Sequence, residues 1–256
     1  MTLRRVTLAL LILYAVMTAY SIVSRPLGIA PSRFITPLVT LAGFAFALVH
    51  AGQREGWGRA LRLLALVFAV SLLFESVGVA TGWVYGPYHY TNQLGPLFLG
   101  LVPFLIPLAW FMMSYPSFVI AGWLVPSGWR RWQRLLAVAA LGGLVMTAWD
   151  LVMDPIMVAG GHWVWDTQGA YFGIPLQNFC GWWLTIFTTF TLYLWLFGSD
   201  AKPTQARFDR LALWSYLVTG LGIVVVALVS GLGALALIGL LAMFPWGITA
   251  GLKLYK

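Results

Sequence analysis

The chain reads as an all-α, polytopic membrane helix bundle of about eight transmembrane helices, with seven as the alternative count. Three observations predict this. Hydrophobic residues make up 61% of the sequence and charged ones 9%, far from globular proportions. Runs such as Leu8 to Val23, Phe34 to Val49, Leu61 to Phe74, Leu135 to Trp149 and Leu211 to Val229 carry few or no charges, and several approach the ~20 residues that cross ~30 Å of hydrocarbon. The basic residues sit in short clusters between those runs.

The helices are expected at about 6–24, 34–51, 61–80, 100–124, 133–153, 177–198, 210–229 and 232–250, in one transmembrane domain spanning 1–256. Arg4 and Arg5 precede the first run as they would a signal peptide, but the run is long and no small-x-small cleavage site follows, so it reads as a retained helix. The fourth helix starts behind Gly100-Leu-Val-Pro103, and the sixth opens at Asn178. Residues 211–250 are too long for one span, and Ser230-Gly231 is the expected turn.

With these spans, thirteen of the fifteen Lys and Arg residues fall on one side; Arg25 and Arg33 fall on the other. Such a bias puts both termini in the cytoplasm. It also explains the +8 net charge without nucleic acid as a partner. Cys180 is alone, and His50, His89 and His162 are scattered. That leaves no disulfide framework, no Cys metal site and no clustered His set for a di-iron centre; no metal is expected.

Three of the seven acids, Glu75, Asp150 and Asp154, interrupt or border the apolar runs. Carboxylates in hydrocarbon are costly and mark functional sites. Glu75 lies 13 residues beyond Arg62 and Asp150 lies 16 beyond Arg134. At ~1.5 Å per residue these are about 20 and about 24 Å from the basic edge, one shared level in the outer half of the bilayer. Asp154 is one turn beyond Asp150 on the same face. A purely structural alternative exists for each: a hydrogen bond across helices for Glu75 and Asp150, a turn or cap before Pro155 for Asp154.

The stretch from Glu75 to Trp110 echoes that from Asp154 to Trp182. Seven residues beyond each acid comes a glycine, Gly82 or Gly161, then Trp83 and Tyr85 in one case, Trp163 and Trp165 in the other. Helices 3–4 and 5–6 therefore form a tandem pseudo-repeat, an arrangement that often builds a site where the units meet. The connecting segments, 81–99 and 155–176, are rich in Trp and Tyr and lack Lys and Arg. They are either an interfacial aromatic belt or a lid folded over the acids.

The same segments carry a family resemblance. Glu75-Ser-Val-Gly-Val-Ala-Thr-Gly-Trp-Val-Tyr-Gly-Pro-Tyr-His-Tyr90, Gly100-Leu-Val-Pro103 through Trp110, Trp149-Asp150-Leu-Val-Met-Asp154-Pro155, and Trp163-Val-Trp165 through Asn178 to Trp182 resemble the integral-membrane carotenoid biosynthesis proteins. That family includes carotenoid 1,2-hydratases acting on γ-carotene-type and bisanhydrobacterioruberin-type ends. The resemblance covers roughly residues 60–200. It implies a cofactor-independent enzyme of a bacterial or archaeal cell membrane that adds water across the terminal C1=C2 bond of an acyclic or monocyclic carotenoid. Other carotenoid biosynthesis enzymes are the implied partners, and Glu75, Asp150 and Asp154 are the matching acids.

The residues suit that chemistry. Hydrating an isolated trisubstituted alkene takes an acid, a shielded tertiary cation and a placed water. Burial can keep a carboxyl protonated, a second carboxylate can take the proton of the attacking water, and aromatic faces stabilise the cation by ~2 kcal/mol in dry surroundings. In this reading Asp150 is the general acid and Glu75 positions water, while Asp154 pairs with Asn178 or His162. Trp83, Tyr85, Trp149 and Trp163 line the cation site, and His89 and His162 lie in the lid. Two rivals share the same residues: a proton-initiated carotenoid cyclase, which ends in ring closure, and a transporter of a lipophilic substrate.

Overall fold

The computed structural model describes residues 3–24, 27, 34–198 and 206–254. Eight helices, α1 Leu3–Val23, α2 Ile35–Glu55, α3 Trp57–Thr81, α4 Leu105–Leu124, α5 Arg131–Ala159, α6 Leu176–Phe197, α7 Ala206–Val229 and α8 Gly233–Leu254, make up the bundle. All eight are long and apolar enough to cross a membrane. The turn between α7 and α8 falls at Ser230-Gly231 as expected, with Gly231 at φ 76°. Arg25, Arg33, Lys202 and Lys256, which count in the charge bias, lie outside the described residues.

α4 is the central helix. It packs against α2, α3, α5, α7 and α8, and buries Trp110, Phe111, Tyr115 and Ile120. α1 is peripheral and turns Leu8, Ile12, Val16 and Val23 outward, the face a lipid-contacting helix presents.

Most helix ends shift by a few residues from the sequence reading, and the start of α4 and the end of α5 shift furthest. α4 starts at Leu105 rather than near 100, because β2 (Leu97–Phe98) and β3 (Val102–Pro103) pair as a small hairpin before it. α5 runs through Pro155 to Ala159 instead of stopping near 153. Proline has no N–H to give the carbonyl one turn back, which leaves the Leu151 oxygen without its helical donor. The Tyr171 hydroxyl supplies the missing bond to Leu151 O at 2.8 Å. The helix therefore continues, and Asp154 lies inside it.

The sequence echo has a structural counterpart. α3 ends on Gly82 at φ 72° and α5 is closed by Gly161 at φ 72°, the left-handed stop that glycine permits. Each cap leads into a three-residue strand, β1 (Tyr88–Tyr90) or β4 (Trp163–Trp165). The strands pair antiparallel, Tyr88 with Trp165, His89 with Val164 and Tyr90 with Trp163. Each unit then makes a tight turn before its next helix, closed by Leu101 N–H to Phe98 O at 2.9 Å and by Ile174 N–H to Tyr171 O at 2.8 Å.

Those turns contain the two non-glycine residues at positive φ among the described residues, Leu99 at 50° and Phe172 at 48°. Each is followed by a glycine also at positive φ, Gly100 or Gly173, as type I′ turns require. A leucine in this region costs about 1–2 kcal/mol that asparagine largely avoids. Leu99 is 76% exposed and buries little. Leu99→Asn is therefore expected to stabilise the protein by about 1 kcal/mol, read as a higher unfolding temperature in detergent.

Candidate acid-lined pocket

β-strand alternation sets the geometry of the site. Successive residues of β1 and β4 face opposite ways, so Tyr88 and Tyr90 point inward with Trp163 and Trp165, while His89 and Val164 point out. The ribbon lies across the ends of α3 and α5. Glu75 on α3 receives the Tyr88 hydroxyl, the Tyr90 hydroxyl at 2.9 Å, and Trp110 Nε1–H from α4 at 2.9 Å. Asp154 on α5 receives Trp163 Nε1–H at 2.7 Å and Trp165 Nε1–H at 3.3 Å. Each unit thus caps its own acid with the two inward side chains of its own strand.

Asn178, in the first turn of α6, completes the cluster. Its amide donates to Asp150 Oδ2 at 2.7 Å and to Asp154 Oδ2 at 2.8 Å. One NH₂ therefore bridges both carboxyls. Asp150 is fully buried, and its Oδ1 has no hydrogen-bond partner. Burial, followed by the nearby Glu75 charge, pushes the Tyr88 and Tyr90 phenols well above the usual tyrosine range. Both therefore stay protonated and act as donors to Glu75.

Glu75 and Asp154 open onto a cavity of about 220 Å³. Its walls include Glu75, Asp154, Asn178, Tyr85, Trp149 and Trp163, all expected site residues, together with Tyr88, Tyr90, Trp110, Trp165 and Trp182. Trp110 and Trp182, the last residues of the two echoing stretches, stack at 4.1 Å between centroids and 22°. Trp149 meets Trp182 edge-on at 5.8 Å, an arrangement favoured by ring quadrupoles. The Tyr85 hydroxyl bonds Thr185 Oγ1 at 2.8 Å and is fixed against α6.

Four expected residues stand elsewhere. Asp150 is fully buried and does not line the void; the Asn178 amide joins it to Asp154, which does. Trp83 follows the Gly82 cap and is 83% exposed. His89 points out of the ribbon and pairs with Asp166 at 2.8 Å on an exposed surface. His162 is half-buried with Nδ1 on Met157 O at 3.3 Å, and Asn178 is the residue that pairs with Asp154. Tyr88, Tyr90 and Trp165 take the places that Trp83 and His89 were expected to fill. The alternating Tyr-x-Tyr and Trp-x-Trp spacing was the signal for them. Among the described residues no group of three His, Cys, Asp or Glu side chains converges as metal ligands.

Fold and site together define a polytopic helical membrane protein with carboxyl groups gathered at an aromatic pocket. A family profile described as "Carotenoid biosynthesis protein" matches residues 35–245, and the chain belongs to that family. It is 34% identical over 174 residues to a protein of Haloarcula japonica named bisanhydrobacterioruberin hydratase. The match takes in 68% of this chain but only 55% of that relative, so the chain spans about half the relative's length. No solved structure matches.

Proposed function

We propose that the protein hydrates the terminal trisubstituted double bond of an acyclic carotenoid end, C1=C2 in carotenoid numbering. One observation carries this reading: carboxyls from two helices reach a single apolar, aromatic cavity. The similarity to a protein named as a hydratase supports water, rather than an internal carbon, as the group that captures the cation.

The roles follow from the surroundings of each acid. Asp150 and Asp154 share one amide donor, and two carboxyls so close hold a proton between them. Asp154 borders the void and is the member that delivers the proton to C2. Asp150 stands behind it as the other half of the pair, which moves the delivering role from Asp150, the residue favoured by the sequence, to Asp154. The π electrons form the new C–H bond and leave a tertiary cation at C1, shielded by Trp149 and Trp182. Water attacks C1 and its proton passes to Glu75, whose three donors suit a carboxylate. Return of that proton to the aspartate pair closes the cycle, and the net change is alkene plus water to tertiary alcohol. In the membrane, the basic end with both termini faces the cytoplasm, and the ribbon covers the outer end.

Purified protein given an acyclic carotenoid in H₂¹⁸O is expected to yield an alcohol carrying the heavy oxygen. Label taken from O₂ overturns water addition. A product of unchanged mass assigns the site to ring closure instead.

A further inference from the structure

We propose that the cavity wall built by α1, α2 and α7 is a hydroxyl-lined path delivering the attacking water to the reaction centre. This deepens the hydration reading and rests on it. Tyr14, Thr18 and Ser21 of α1, Thr36 and Thr40 of α2, and Thr219 of α7 all line the same cavity as Glu75 and Asp154. In a chain that is 61% hydrophobic, six hydroxyls from three helices meeting at one void call for a reason.

Helical spacing sets out the path. Tyr14, Thr18 and Ser21 recur at four and three residues, one face of α1, and Ser24 continues the row by three more. Ser24 is only 3% exposed and sits just past the end of α1. The row therefore runs from the pocket toward the end of the bundle where the ribbon lies. Thr18 Oγ1–H donates to Tyr14 O at 2.8 Å, and Ser21 Oγ–H donates to Thr18 O at 2.7 Å. With their protons committed to carbonyls, these oxygens keep lone pairs that accept from water. Tyr14 and Thr219 are joined hydroxyl to hydroxyl at 2.6 Å.

Ser and Thr often bond back to their own helix, and in membrane helices such groups also serve as packing contacts. That explains hydroxyls on one helix. It does not explain Thr40, which is 8% exposed and borders the cavity, and whose hydroxyl is not among the fully enclosed unpaired atoms but stays open to the void. A hydroxyl open to a void is satisfied when that void holds water. Water settles in a cavity that offers it two to four polar partners, which this wall does. The reaction needs such a supply, because the pocket must stay dry enough to protect a cation and yet admit one water per turnover.

Partitioning of the cation tests the path. Reconstituted full-length protein is given an acyclic carotenoid in D₂O, and two products are followed: the alcohol, and recovered alkene that has gained deuterium. A cation starved of water gives a proton back and returns to alkene. Thr18→Val combined with Thr40→Val is expected to lower the alcohol-to-deuterated-alkene ratio by about tenfold, the scale of a lost hydrogen bond, with Thr18→Ser and Thr40→Ser restoring it. An unchanged ratio overturns the path. So does equal loss of both products in Thr40→Val alone, because the path serves only the water step. Failure of the hydration reading looks different, since the unaltered protein then gives no alcohol at all.

Discussion

Asp154→Asn should cut hydration by about 10²–10⁴-fold, the usual contribution of a positioned proton donor, while the protein still inserts and folds. The substitution is nearly isosteric and leaves the ribbon in place. What it removes is the one carboxyl of the aspartate pair that borders the cavity. Glu75→Gln should have a loss of similar size for the complementary reason, since a neutral amide cannot take the proton of the attacking water. Trp83→Ala serves as the control: at 83% exposure and outside the pocket, it is expected to leave turnover within about twofold, the size of a surface change. The check is single-turnover hydration of a reconstituted acyclic carotenoid by all three variants. Turnover like the unaltered protein's in Asp154→Asn removes this residue from the proton path.

Asn178→Leu is the change expected to harm fold and chemistry together. Its amide is the common donor to Asp150 and Asp154, and leucine of similar size leaves both carboxyls buried without it. Each unsatisfied buried group costs about 1–3 kcal/mol, so a fall of several degrees in unfolding temperature is expected. Hydration should fall as well, since Asp154 loses one of the contacts that fix its direction. A double-mutant cycle separates this from simple loss of packing. With Asp150→Leu present there is one less carboxyl to strand, and the cost of Asn178→Leu should shrink by about 1 kcal/mol or more, as for residues in one network. Strict additivity would show that Asn178 merely fills space.

The eight spans were legible because hydropathy and charge clusters report directly on what a bilayer admits. Helical rise put Glu75 and Asp150 at one level with Asp154 a turn beyond, whereas the cavity is bordered by Glu75 and Asp154. The continuation of α5 was not legible: its determinant is Tyr171, sixteen residues past Pro155, whose hydroxyl supplies the bond the proline cannot. The ribbon was equally hidden, because two three-residue strands from distant segments become stable only by pairing with each other. The sequence reading took Trp83 and His89. Trp83 lies in the turn before β1 and is exposed, while strand alternation turns His89 outward and places Tyr88, Tyr90 and Trp165 on the acids. Which aspartate reaches the void also depends on where α6 docks Asn178, and no local pattern encodes that.

Because one ribbon clamps Glu75 through β1 and Asp154 through β4, the two carboxyls are mechanically yoked. Displacing the ribbon would therefore loosen the hydrogen-bond partners of both carboxyls at once. On the proposed hydration reading, the proton donor and the proton acceptor would then be disarmed together.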